Sequence, residues 1–263
     1  RGTFFCSKCG SGDGFALLGL VKGWSFKESA AEVERIAGMI KPGATKRQFG
    51  DADKIEACRR IWHESKAVTT CDPVHSYLVR RAGIENMPAC IRFHPDLAYR
   101  HDDGNITCHP AMIAKVQDAN GNGVAIHRTY LTVDGQKAAL PSPKKIIGSL
   151  PPGAATRLMP ASGCMGIAEG IETALAASML FGLPVWAAIS AIGLERWAPP
   201  PGTEHVTVFG DNDTSHTGQA AAFALAKRMH NAGITAEVRI PDLPGTDWAD
   251  PQLDFSTTKE QQQ

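Results

Sequence analysis

The sequence has no surplus of charge in either direction. Its 27 Lys and Arg residues are matched by 27 Asp and Glu in 263 residues, so the formal net charge is zero. A uniformly basic field is therefore excluded, and any hold on a polyanion must come from local patches. Long apolar runs are missing too: none approaches the roughly 20 residues of a membrane-spanning helix. The first residues show no apolar signal segment. A cytoplasmic protein without a membrane partner is the expectation. Aromatic residues make up only 7%, and Tyr77, Tyr99 and Tyr130 are the only tyrosines. The seven cysteines are an odd number without secretory context, which suits free thiols better than a disulfide framework. What is present is ordinary for a globular chain: 43% hydrophobic and 21% charged residues, enough for one large or two modest domains.

The stretch from Cys164 to Asp213 organises the rest. Met165 to Ala168 is a short apolar run that stops at Glu169, and Val206 to Phe209 stops before Asp211 and Asp213. Such runs read as buried parallel strands. Helical patterns follow each, over Ile171 to Phe181 and Thr217 to Ala232. In parallel α/β sheets function gathers at the carboxyl ends of the strands. Glu169, Asp211 and Asp213 are therefore expected at one rim. Three carboxylates together repel unless a cation or a proton neutralises them. Oxygen-only ligands favour Mg²⁺ or Mn²⁺ over zinc, the ions of phosphoryl and nucleotidyl transfer.

The pairing of E-G-I-E-T-A-L-A (Glu169 to Ala176) with D-N-D (Asp211 to Asp213) resembles the Toprim domain of bacterial-type DNA primases, topoisomerases and some nucleases. The resemblance implies a Rossmann-like parallel sheet, Glu169 as the first catalytic acid, and Asp211 with Asp213 as the metal-binding pair. Thr173 stands where bacterial primases usually carry a further acid. Glu172 is expected to point elsewhere on its helix. The P-G-x-D-W-x-D segment (Pro244 to Asp250) resembles the end of the same unit. There Asp247 is either a further metal ligand or an N-cap.

Upstream, Cys6 and Cys9 form C-x-x-C before a glycine-rich turn. That spacing serves half a zinc knuckle, a redox pair or a plain turn. With G-W-S-F-K-E-S-A it resembles the second half of a primase-type zinc-binding domain, which implies a structural Zn²⁺ and a missing first half before Arg1. Phe4, Phe5 and Lys8 suit contact with a single strand or ordinary packing. Ser25 with Glu28 predicts a capping box for a helix over Phe26 to Ala37. Residues 39–83 read as a helical linker region, with helices from Asp53 to about Val68 and over Asp72 to Gly83. Within it Y-L-x-x-R-x-G-I resembles the segment leading into primase cores. Residues 84–160 read as a small antiparallel subdomain with strands at Ile91 to Phe93, Ala111 to Gln117, Val124 to Leu131 and Lys137 to Leu140, and a hairpin at Asn120-Gly121.

The expected fold is thus α/β: a truncated zinc ribbon (1–38), the linker region, the small α+β subdomain, the Toprim unit (161–255) and a polar tail (256–263) opening toward further chain. H-R-T-Y-L followed by K-K implies, by resemblance, a basic groove for template or nucleotide. Arg92, His127, Arg128, Lys144, Lys145 and Arg157 are its candidates. The implied activity is RNA primer synthesis on single-stranded DNA from NTPs, in phage- or plasmid-type replication with a helicase as possible partner. The alternatives are a Toprim nuclease and a non-catalytic nucleic-acid-binding module. The few tyrosines and the lack of a strand-passage domain oppose a topoisomerase.

Overall fold

The computed structural model describes residues 3–6, 10–39 and 50–250. The chain divides into two units, Arg1–Gln48 and Phe49–Gln263. In the first, β1 (Thr3–Cys6) pairs antiparallel with β2 (Gly10–Asp13), and α1 (Gly14–Lys22) and α2 (Phe26–Met39) follow. The Asp13 carboxylate accepts the Ala16 N–H and caps α1. The capping box forms as the sequence predicts: Glu28 accepts from the Ser25 N–H at 2.7 Å, and the Ser25 hydroxyl accepts from the Glu28 N–H at 3.3 Å. Cys9 and the Cys6 side chain, the expected zinc ligands, lie outside the described residues.

The second unit holds two sheets. The first is antiparallel, in the order β3 (Lys66–Ala67), β4 (Ile91–Arg100), β5 (Ile106–Gln117), β6 (Gly123–Tyr130), β7 (Lys144–Gly148). Helices α3 (Asp51–Glu64) and α4 (Pro73–Ala82) precede it. The β5–β6 hairpin turns at the predicted Asn120-Gly121. Two expectations are corrected. The helix from Asp53 does not reach Val68, because the Ser65 hydroxyl closes onto the Ile61 carbonyl and Lys66–Ala67 pairs with Arg92 and Phe93. Lys137 to Leu140 forms only one bridge, to Leu131. The edge strand is instead Lys144–Gly148, so the two lysines sit in a sheet rather than after a turn.

The second sheet is parallel, in the order β11 (Thr235–Arg239), β10 (His205–Phe209), β8 (Cys164–Ala168), β9 (Val185–Ala187). Its helices are α5 (Ile171–Phe181), α6 (Ala191–Arg196) and α7 (Thr217–Asn231). Both faces are covered, which explains strands that are apolar at almost every position. Met165, Ile167, Val206 and Val208 pack with Leu194 and Trp197 around α6 and with Ala221, Ala222 and Leu225 of α7. Ala168 and Phe209 pack on the other side with Ile171, Ala174 and Leu175 of α5. That second cluster also takes in Val74, Tyr77 and Leu78 of α4 and Met112 and Ala114 of β5. The helical segment before residue 84 is thus part of the joint core of the two sheets, not a spacer.

Gly166 lets the parallel sheet close. A Cβ there would stand 2.7 Å from the Phe209 ring and 2.9 Å from Val185 Cγ2. Overpacking of this kind costs about 1–3 kcal/mol. Gly166→Ala is expected to lower the thermal midpoint by several degrees, read by circular dichroism, while Gly182→Ala, with nothing within 4 Å but a φ of +66°, costs less.

Candidate functional site

Register builds the site. Ala168 of β8 pairs with Phe209 of β10, so Glu169 and Gly210 leave the sheet at one level and Asp211 follows at once. Glu169, Asp211 and Asp247 line a cleft of about 150 Å³, with Glu172 and Thr173 from the first turn of α5. Arg81, His127, Lys137 and Lys144 complete its wall. Acids come from the parallel sheet, its loops and the first turn of α5; the other polar groups come from α4, β6, β7 and the segment between those strands.

Crowding shows in the ionisation of the acids. Burial, then the Asp247 and Glu169 carboxylates, pushes Asp211 up to about 7. Burial and Asp213 raise Glu169, with Lys144 and then the Ala191 N–H at the start of α6 in partial offset. Among the described residues the Asp211 carboxylate has one long hydrogen bond, 3.5 Å, donated by Thr173, the residue standing where a further acid was expected. Asp247 is shared: it accepts the Ala249 N–H at 2.7 Å as a turn cap and pairs with Arg81 at 3.3 Å. Asn212, between the two acids of D-N-D, anchors the loop carrying Asp247. Its side-chain amide donates to the Pro241 carbonyl and its N–H to Thr246.

Asp213 departs from the expectation of three acids facing one ion. Its carboxylate turns onto the amino end of α7. It accepts the Gly218 N–H at 2.7 Å, the Thr217 N–H at 3.2 Å, and both the N–H and hydroxyl of Ser215. The Ser215 hydroxyl and these N–H groups hold it down at about 2, as helix amino ends do for anions. Gly218 permits this approach, since a Cβ there would sit 3.0 Å from the carboxylate oxygen. Among the described residues, no three Asp, Glu, His or Cys side chains stand grouped to hold a metal ion. The donor chemistry still fits a hard divalent cation: all oxygen, with an Asp211 whose negative charge Lys144 offsets only in part.

Glu172 corrects the view that it points away. It is 4% exposed and lies in the cleft. Tyr77 donates to one carboxylate oxygen at 2.6 Å and Lys144 to the other at 2.9 Å. Burial opposes its charge, but Lys144 and Tyr77 prevail and hold it at about 2. The first turn of α5 rises directly from the end of β8, so residues 169 and 172 face one space.

The basic candidates divide. His127 and Lys144 face the cleft. His127 is buried, held down at about 4 by that burial, and its Nδ1 has no hydrogen-bond partner among the described residues. Arg128 and Lys145 pair with each other across β6 and β7 on the opposite face. There Arg128 donates to the Tyr130 hydroxyl and Lys145 lies over the Tyr99 ring. Arg92 donates to the Trp62 carbonyl at 2.9 Å and stacks on its ring. Arg157 binds the Asp118 and Ala119 carbonyls. These four are engaged away from the acids. Arg81 and Lys137 take their place in the cleft. Arg81 is the arginine of the Y-L-x-x-R-x-G-I phrase; Lys137 carried no signal.

The Tyr77–Glu172–Lys144 chain ties stability to pH. Glu172 is depressed in the folded state, so its contribution is present above the ordinary carboxylate value of 4.5 and is lost as pH falls toward about 2. Tyr77→Phe removes one donor from a buried carboxylate, a loss of about 1–3 kcal/mol. It is expected to lower the thermal midpoint at pH 7 and to move the acid loss of stability to higher pH, followed by melts from pH 7 to 2.

Two family models match. Residues 52–158 match a domain of unknown function (DUF7146), and residues 164–254 match the Toprim domain. Solved structures similar to the chain include the zinc-binding and RNA polymerase domains of the Aquifex aeolicus primase, at 16% identity over 94% of this chain and 68% of that one, TM-score 0.49. Another is the primase fragment of the bacteriophage T7 primase-helicase protein, at 17% identity over 81% and 78%, TM-score 0.41. A third is the RNA polymerase domain of the Mycobacterium tuberculosis primase DnaG, at 12% identity over 80% and 81%, TM-score 0.44. At these scores the likeness in trace is partial. The parallel sheet, its acids at the carboxyl ends of β8 and β10, and the match over 164–254 agree: the chain carries a Toprim domain.

Proposed function

We propose that the protein is a primase, joining NTPs into short RNA on a single-stranded DNA template in phage- or plasmid-type replication. One observation carries the reading: a cleft at the carboxyl edge of the Toprim sheet is lined by Glu169, Asp211 and Asp247 together with Arg81, Lys137 and Lys144. Phosphoryl chemistry needs both signs, acids for a cation and cations for phosphates.

Asp211 and Glu169 would hold a Mg²⁺ or Mn²⁺, with Asp213 joining if it leaves α7 and Asp247 as a further ligand. Such an ion supplies charge neutralisation at the α-phosphorus and acidifies the attacking hydroxyl. Lys144 and Lys137 hold the triphosphate. Glu169, raised by its surroundings, takes the proton of the 3′-hydroxyl. The new bond joins that oxygen to the α-phosphorus, and pyrophosphate leaves toward the cationic wall. Cys6 and Cys9 would give two thiolates to a structural Zn²⁺, and a replicative helicase, fused or separate, is the natural partner.

Primer synthesis from labelled NTPs on single-stranded DNA with Mg²⁺ tests this. Glu169→Ala, Asp211→Ala and Asp213→Ala are each expected to reduce synthesis at least ~100-fold, the scale of losing a group that stabilises developing charge. Lys144→Ala should raise the KM for NTP. Synthesis that survives Asp211→Ala and Asp213→Ala overturns the reading. Nicked DNA without NTPs supports phosphodiester cleavage by the same acids instead.

A further inference from the structure

A second cleft lies on the other face of the antiparallel sheet. Ala114 pairs with His127, and its neighbour Lys115 with Ile126. Adjacent strand residues point to opposite faces, so with His127 in the acidic cleft, Lys115 faces away from it. There α3 leans over β5 and β6 and leaves an open space of about 390 Å³. Arg59, Trp62 and His63 of α3 line it with Lys115 and Asn122. None of its lining residues is Asp or Glu.

Two of the nearby acids are engaged elsewhere. The Asp118 carboxylate accepts the Asn120 and Asn122 N–H groups and the Asn122 amide. Glu64 lies 3.6 Å from His94 and 4.0 Å from Arg60. Arg59 has no ion-pair partner among the described residues. Lys115 and Arg92 both stand over the Trp62 ring, at 4.4 and 4.3 Å. A chain with no net charge has thus gathered cations around one indole and kept carboxylates out. The two cations also occupy the ring, which favours recognition of charge over stacking of a base.

We propose that this cleft binds the phosphate of a nucleotide, carried either by a free nucleoside triphosphate or by one unit of a nucleic-acid strand. Its volume falls within the range of small-ligand sites, about 300–1,000 Å³. Its cations match a phosphate as a point-charge cradle without sequence preference. The site needs none of the acids across the sheet.

The test is equilibrium binding of a fluorescent oligo-dT and, separately, of ATP by the whole chain, at several salt concentrations. Arg59→Glu changes an exposed side chain without a partner, and Lys115→Gln keeps most of its stem; superimposable melts verify folding. A roughly 10-fold loss for oligo-dT with ATP unchanged assigns a strand phosphate. Each lost contact should also flatten the salt slope by about 0.7. A matching loss for ATP assigns the free nucleotide. Unchanged affinity and slope in both variants overturns the proposal, as does a wild-type protein that binds neither probe. Asp211→Asn, assayed beside them, keeps the two readings apart: it should abolish primer synthesis and leave Arg59-dependent binding intact.

Discussion

Negative charge gathered in a half-buried cleft is the constraint that the rest of the second unit answers. Burial raises both Asp211 and Glu169, and the Asp247 and Glu169 carboxylates push Asp211 higher still. A fold built for stability alone would separate them or cover them with salt bridges. This one compensates Asp247 with Arg81 and the neighbouring Glu172 with Lys144, and among the described residues gives Asp211 one long hydrogen bond. The deficit is concentrated on one carboxylate, which is where a bound cation gains most.

The side chains that face the acids do not belong to the parallel sheet. Arg81 and Tyr77 come from α4, and His127 and Lys144 from β6 and β7. All lie within residues 52–158, the stretch that a family model of unknown function matches. The shared hydrophobic cluster of α4, α5 and β5 fixes this arrangement. The Tyr77–Glu172–Lys144 chain runs through that junction. Removing one partner there would strand a buried charge, which is costlier than losing a surface pair. Packing and electrostatics therefore fasten the same seam.

Much of this was legible in the sequence. The βα units, their glycine stops and the acids following each strand are local features, set by periodicity and by turn chemistry. The bounds of α5 agree with expectation at both ends. What failed was orientation. His127 and Arg128 are neighbours in a strand, as are Lys144 and Lys145, so only one of each pair can face the acids. Treating them as one basic set ignored that rule. Strand position misled as well: Lys137 to Leu140 has the apolar alternation, yet Lys144–Gly148 joins the sheet. Glu172 was misjudged by helical angle alone, because a first-turn side chain is placed by the strand beneath it as much as by the wheel.

Asp213 raises a final point about order. Its carboxylate is fully satisfied by the amino end of α7, whereas Asp211, two residues earlier, is nearly bare. Backbone geometry at this corner is already special: the residue before α7, His216, has a φ of 59°, and Ile189 in the facing loop has a φ of 72°. A β-branched residue in that region is uncommon and strained. Ile189 stays there because its N–H is held by the Glu169 carbonyl at 2.8 Å and its side chain packs beside the core. The loop that crowds Glu169 is thus held from both ends. Backbone hydrogen bonds thus hold the Glu169 side of the cleft, while Asp213 is held apart from it by hydrogen bonds at the amino end of α7.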